Sequence, residues 1–205
     1  MPKGVSNVVS ILLHPLLMPT FSVLLLFSIN TYISRTIPID LQLLVTTLVL
    51  INTFILPGIF IIILHRRGFL SSVYLDNQKE RVVPFIMAFF FYGFTYYLLK
   101  RVNLPPTLNA LMFGAVISVF ISSAFNFFTK ISIHMVGIAG VFGAFYAISL
   151  TFGLDILGIL LALVFGIGLV GSARLSLNKH TPIELILGTF IGFASEFLVV
   201  INKWG

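Results

Sequence analysis

Seven long apolar runs, separated by short polar connections, constrain the fold of this chain more than any other feature. They lie at roughly 8–31, 41–64, 84–99, 108–129, 133–152, 155–173 and 183–202. A helix needs about 20 largely apolar residues to cross ~30 Å of hydrocarbon, so each run reads as a transmembrane span. The runs are continuous rather than alternating apolar and polar, which argues against a β-barrel. The predicted fold is therefore all-α, a polytopic bundle of about seven spans forming one integral-membrane domain over 1–205.

Composition fits that reading. Hydrophobic residues make up 59% of the chain and charged residues 9%, against roughly 45–50% and about 25% in soluble domains. A water-soluble globule and a disordered chain are both excluded. The net charge of +6 does not point to nucleic acid, because the basic residues sit at the ends of apolar runs rather than on one soluble face. With no cysteine there is no disulfide framework, thiolate metal site or thiol nucleophile. The longest polar stretch, 65–83, is too short to build a core of its own.

Local signals refine the runs. The third is the shortest and is rich in aromatics (Phe89, Phe90, Phe91, Tyr92, Tyr96 and Tyr97), whose ends suit a membrane interface. Pro57-Gly58 predicts a kink in the second. Lys3 precedes the first run, which is long and lacks a small-x-small cleavage site, so a retained span is expected rather than a signal peptide. Gly137, Gly140 and Gly143 are expected to form one small face on the fifth span, and Gly188 and Gly192 a small-x-x-x-small pair on the seventh.

Span parity then sorts the polar residues. With the N-terminus on side A, the stretches 65–83, 130–133 and 172–182 all fall on that side. They bring Asp76, Lys79, Glu80 and Arg81, then Lys130, Ser132 and His134, then Arg174, Lys179, His180 and Glu184 to one membrane face. Side B carries Arg35, Asp40, Lys100, Arg101 and Asp155, and no histidine. Clustered Lys, Arg and His near helix N-termini suit a phosphate group, whose oxygens match the guanidinium fork and the free N–H groups of a helix start. One histidine can attack phosphorus while a second protonates the leaving oxygen.

The sharpest spacing is Arg174, five residues, His180, three residues, Glu184. It resembles the third motif of the type 2 phosphatidic acid phosphatase superfamily of integral-membrane lipid phosphatases: Ser-Arg, five residues, His, three residues, Asp. Ile131-Ser132-Ile133-His134 stands where that family has Pro-Ser-Gly-His. Lys79-Glu80-Arg81-Val82-Val83-Pro84 stands near its first motif, Lys, six residues, Arg-Pro. Order and hairpin spacing agree over about 76–184 and the last span. Ala173 replaces a phosphate-binding Ser, Ile131 and Ile133 replace Pro and Gly, and Tyr74 occupies the position seven residues before Arg81 where the family has Lys.

The resemblance implies a membrane phosphatase that hydrolyses a polyprenyl or glycerolipid phosphate or diphosphate through a phosphohistidine, with no metal and no cofactor. His180 would be the nucleophile, Glu184 would orient its imidazole, and His134 would protonate the leaving group. Arg174, Arg81, Lys79 and Ser132 would bind the phosphate. The partner is a lipid phosphate within the bilayer, and the expected location is a bacterial cytoplasmic membrane.

Alternatives stay open on these residues. One is a non-catalytic relative that binds anionic lipid or membrane partners. Others are a lipid phosphotransferase and, more weakly, a transporter, although no repeated pair of interrupted helices is present. Thr181-Pro182-Ile183-Glu184 also spells a helix capping box, a structural role for the same glutamate. His65, Arg66 and Arg67 read as interfacial anchors, and His14 has no assigned role. Glu196 lies deep in the last span, where a carboxyl is a functional candidate by default, but the sequence assigns it no task. Side A carries eight cations against four; without Lys79, Arg81 and Arg174 the balance is five against four, which leaves the membrane side of the site open.

Overall fold

A computed structural model of the chain describes every residue except Tyr74, Asp76, Asn103 and Gly205. Tyr74 and Asp76, both near the first motif, thus lie outside the described residues. The described chain is helical, with no strand. The helices are α1 (Lys3–Leu12), α2 (Met18–Ser28), α3 (Tyr32–Thr36), α4 (Ile39–Leu50), α5 (Leu56–Arg66), α6 (Val82–Arg101), α7 (Pro106–Phe125), α8 (Ile133–Phe152), α9 (Leu157–Ser176) and α10 (Pro182–Ile201). Together with short 3-10 and π segments they make seven helical stretches long and apolar enough to cross a membrane. In hydrocarbon no water satisfies backbone groups, so a continuous internal helix ladder is the only open-chain solution.

The element boundaries have local causes. Helices α4 and α7 begin directly after Pro38 and Pro105, and α10 has Pro182 in its first turn, where a missing N–H costs nothing. Gly153 ends α8 in the left-handed conformation at φ 60°, which a glycine adopts without strain. The first stretch begins at Lys3 and is broken at His14–Pro15, where a 3-10 turn over Pro15–Leu17 joins α1 to α2. The second stretch contains a π segment, Ile51–Ile55, which ends two residues before Pro57. Proline lacks the N–H of the normal ladder, and the extra residue per turn accommodates the loss.

The first stretch lies earlier than the sequence reading has it, at Lys3–Ser28 rather than 8–31, and two others differ as well. The third is not short, spanning Lys79–Arg101. Lys100 and Arg101 stay within the helix because their side chains donate back to the hydroxyls of Tyr96 (3.2 Å) and Tyr97 (2.8 Å), an arrangement that carries the charge toward the interface. The fourth ends at Phe125 rather than near 129. There Asn126 is clipped to the connection before α6: its side chain donates to the Gln78 carbonyl at 3.0 Å, and Gln78 donates to the Asn126 carbonyl at 2.6 Å.

Helices α8 and α10 form the centre, with α7 on α10, α6 on α7, and α9 on α8. Helix α1 lies against α9. Between membrane helices the drive is close packing rather than water exclusion, and here it is extreme. A Cβ on Gly192 would collide with the Val136 carbonyl, and one on Gly188 would lie 2.6 Å from the Ser132 carbonyl oxygen. The expected glycine face on α8 divides in two. Gly140 and Gly143 meet α10, whereas Gly137 meets Met18 and Pro15. Three residues advance a helix by 300°, so residues six apart point about 120° from each other.

Candidate functional site

The starts of α6 and α8, the end of α9, the loop before α10 and the inner faces of α1 and α5 contribute to the wall of a cavity of about 770 Å³. Arg81, His134, Arg174, Lys179 and His180 line it together. Also on its wall are Ser10 and His14, which carry no role in the sequence reading, and Glu196 at greater depth. Ile11 of α1 and Ile62 of α5 belong to the wall and are exposed on the outer surface. The cavity therefore reaches the lipid-facing perimeter between those two helices.

His180 sits in the loop just before α10, and its side chain is buried. Its Nδ1 donates to Oε2 of Glu184 at 2.7 Å. The same Oε2 accepts the Thr181 N–H at 3.3 Å, while Thr181 Oγ1 accepts the Glu184 N–H at 3.4 Å. The capping box and the imidazole contact thus coexist on one carboxylate oxygen. The contact leaves Nε2 as the ring nitrogen not engaged by Glu184. Burial, and then the nearby cations Arg81, Arg174 and Lys130, push the His180 imidazole down to about 4, against the opposing pull of Glu184. The ring is therefore neutral, with a lone pair, at ordinary pH.

Arg81 is deeply buried at the start of α6. Its Nε donates to the Leu75 carbonyl at 2.7 Å and its Nη1 to the Ile131 carbonyl at 3.0 Å. It thereby ties the connection before α6 to the loop before α8. Glu80 is used locally, accepting from the Ser71 N–H and hydroxyl at 2.8 and 2.9 Å. Lys130 donates to the Lys179 carbonyl at 3.1 Å, joining the loops before α8 and α10.

Helix α1 supplies a wall that the sequence reading missed. Ser6, Ser10 and His14 recur at four-residue spacing on one side of the first stretch. Ser6 Oγ donates to Ser176 Oγ at 3.1 Å, and Arg174 Nη1 donates to Ser10 Oγ at 3.4 Å. The Ser10 carbonyl accepts from His134 Nε2 at 3.1 Å. A carbonyl only accepts, so this bond fixes the proton on Nε2 and leaves the lone pair of the neutral ring on Nδ1. His14 packs edge-on against His134 with ring centroids 5.6 Å apart. Its Nδ1 caps the short turn by accepting from the Leu16 N–H at 3.3 Å. The polar stripe in an apolar run was the available signal.

Two of the expected phosphate-binding residues stand apart from the others. Lys79 is exposed and not on the cavity wall. Ser132 is fully buried and also off the wall. Its N–H donates to the Glu184 carbonyl at 3.3 Å, so that donor holds α8 to α10 rather than facing a ligand. The cause is the close approach at Gly188, which draws the Ser132 backbone against α10. Ala173 is likewise fully buried. Among the described residues, no group of three or more His, Cys, Asp or Glu gathers at metal-binding distance.

Comparison of the chain with family profiles, curated proteins and solved structures yields no match.

Proposed function

We propose that this protein is a membrane phosphatase of the type 2 phosphatidic acid phosphatase kind, acting on a lipid phosphate or diphosphate in a cell membrane, that of a bacterium by expectation. The carrying observation is the His180–Glu184 contact at the polar end of a cavity that Arg174, Arg81 and His134 also line. A histidine held by a carboxylate, two arginines and a second histidine gathered at one cavity support the reading, because phosphoryl transfer through histidine calls on those groups.

In this reading the phosphate enters between Arg174 and Arg81, and the alkyl chain lies along the apolar cavity. Nε2 of His180 attacks phosphorus while the bond to the lipid oxygen breaks. The Nδ1 proton stays with the ring, held toward Glu184, whose charge stabilises the imidazole as it gains positive character. The phosphate arrives as its monoanion and passes its proton to Nδ1 of the neutral His134, which hands it to the departing oxygen. Water then attacks the phosphohistidine, Nδ1 of His134 accepts a proton from it, and the P–N bond breaks; that proton leaves with the phosphate and both rings are neutral again. The Ser10 carbonyl aligns His134 throughout by holding its Nε2–H.

The test is phosphate release from phosphatidate, phosphatidylglycerol phosphate and undecaprenyl diphosphate in detergent, with acid-labile label on His180 as the second readout. Equal release by wild type and His180→Ala overturns the proposal. Burial of Ser132 and Ala173 away from the wall favours a second reading, an anionic-lipid binder without turnover. That reading predicts Arg174-dependent binding of the same lipids and no phosphate release. Capture of the label by an added lipid alcohol would mark a transferase.

A further inference from the structure

The deep end of the cavity carries a carboxyl group that phosphate chemistry leaves idle. Glu196 lies on α10 twelve residues beyond Glu184, about 18 Å along the helix axis at 1.5 Å per residue. It lines the cavity that holds His180 and Arg174. It is only 8% exposed, and among the described residues its Oε2 has no hydrogen-bond partner. Two neighbouring helices are cut away to make room for it. A Cβ on Gly114 of α7 would collide with Oε2, and one on Gly140 of α8 would lie 3.2 Å from Cγ. One turn along α7 from Gly114, Ser118 is buried on the same wall, and its Oγ also has no partner among the described residues. Between the two polar ends the wall is apolar, with Met18, Phe85, Ala88, Ala115 and Val141.

A buried carboxyl and a buried hydroxyl without partners cost free energy unless a ligand completes them. A carboxyl oxygen accepts a hydrogen bond in either protonation state, and a serine hydroxyl both donates and accepts. A hydroxyl satisfies both, and unlike an ammonium it brings no charge into the apolar cavity. Side chains on a helix lean toward its N-terminus, which brings the carboxyl back up the cavity, to roughly 15 Å from the phosphate-binding end by helix rise. We propose that Glu196, with Ser118, is a second recognition point for the lipid. It selects a lipid phosphate whose hydrocarbon chain carries a hydroxyl near its middle. The inference rests on the phosphate-headgroup reading of the opposite end.

The experiment compares octadecyl phosphate with its mid-chain hydroxylated counterpart on the full-length protein in nanodiscs. Displacement of a fluorescent lipid phosphate and phosphate release are both measured. Wild type is expected to favour the hydroxylated lipid by about 5- to 10-fold, the worth of one net hydrogen bond. In Glu196→Leu the ratio falls to about one, and Ser118→Ala lowers it part of the way. Glu196→Gln keeps an acceptor oxygen and most of the ratio, which guards against a folding failure in the leucine variant. Equal use of the two lipids by wild type, or a preference that survives Glu196→Leu, overturns the inference while leaving the phosphatase reading intact. Phosphate release that does not depend on His180, with the hydroxyl preference still present, overturns the phosphatase reading alone. If neither lipid displaces the probe, both fall.

Discussion

Oε2 of Glu184 accepts from the His180 ring at 2.7 Å and from the Thr181 N–H at 3.3 Å, so one oxygen sets both the imidazole and the start of α10. Glu184→Gln keeps an oxygen for the helix start but removes the charge that supports the ring. Phosphate release is expected to fall by roughly 10⁴-fold, the scale seen when the carboxylate behind a catalytic histidine is lost, with little change in melting temperature. Glu184→Ala should lose activity and also about 1 kcal/mol of stability from the missing cap. An unimpaired Glu184→Gln enzyme would remove the orienting role.

The low His180 value sets a pH dependence. Protonation consumes the Nε2 lone pair, so turnover should fall as pH drops toward about 4, not near the ordinary histidine value of 6.5. Arg174→Gln removes one of the cations that oppose protonation, and its acid limb should move to higher pH. The stability sign follows from the same shift. Between 6.5 and 4 the unfolded chain binds the proton that the buried ring refuses, so stability declines as pH falls through that window. Rate profiles and imidazole NMR titration of wild type and the variant check both statements.

Arg81 and Arg174 should separate by what each loss damages. Arg81 satisfies the Leu75 and Ile131 carbonyls. Arg81→Leu leaves both short of a donor and should cost about 1–3 kcal/mol, visible as a lower melting temperature alongside lost activity. Arg174→Lys keeps the charge but not the planar fork. It should leave the melting temperature near wild type while raising KM for the lipid phosphate roughly tenfold, about one charge-assisted hydrogen bond.

Gly192 should tolerate no side chain. The obstructing atom is the backbone carbonyl of Val136, which no change of rotamer can move aside. Gly192→Ala should cost about 1–3 kcal/mol, at the upper end for overpacking. Gly58 is the control, because a Cβ there would meet open space. Gly58→Ala should leave thermal stability close to wild type.

The seven spans were legible because length and apolarity are properties of each run by itself. The break at His14–Pro15 and the π segment before Pro57 were less so, since a proline announces a defect without saying how the ladder repairs it. Parity sufficed to bring His134 and His180 to one end, because connectivity alone decides which end a loop occupies. Which side chains then face the cavity depends on helix rotation and on partners distant in sequence. That is why Ser132 turns out to be buried against α10, why Gly137 parts from Gly140, and why Ser10 and His14 went unassigned. Nothing near Ser10 in the chain announces that its carbonyl meets His134, 124 residues away.

The opening between α1 and α5, bordered by Ile11 and Ile62, changes what concentration means for this protein. A ligand that arrives through that gap is drawn from a two-dimensional solution. Its mole fraction within one leaflet sets occupancy, and its bulk molarity does not. Inert lipid then acts as diluent, and saturation follows surface density even when the total amount of ligand in the tube is held constant. Encounter is governed by lateral diffusion in the plane, and an alkyl chain never has to cross water to be bound or released.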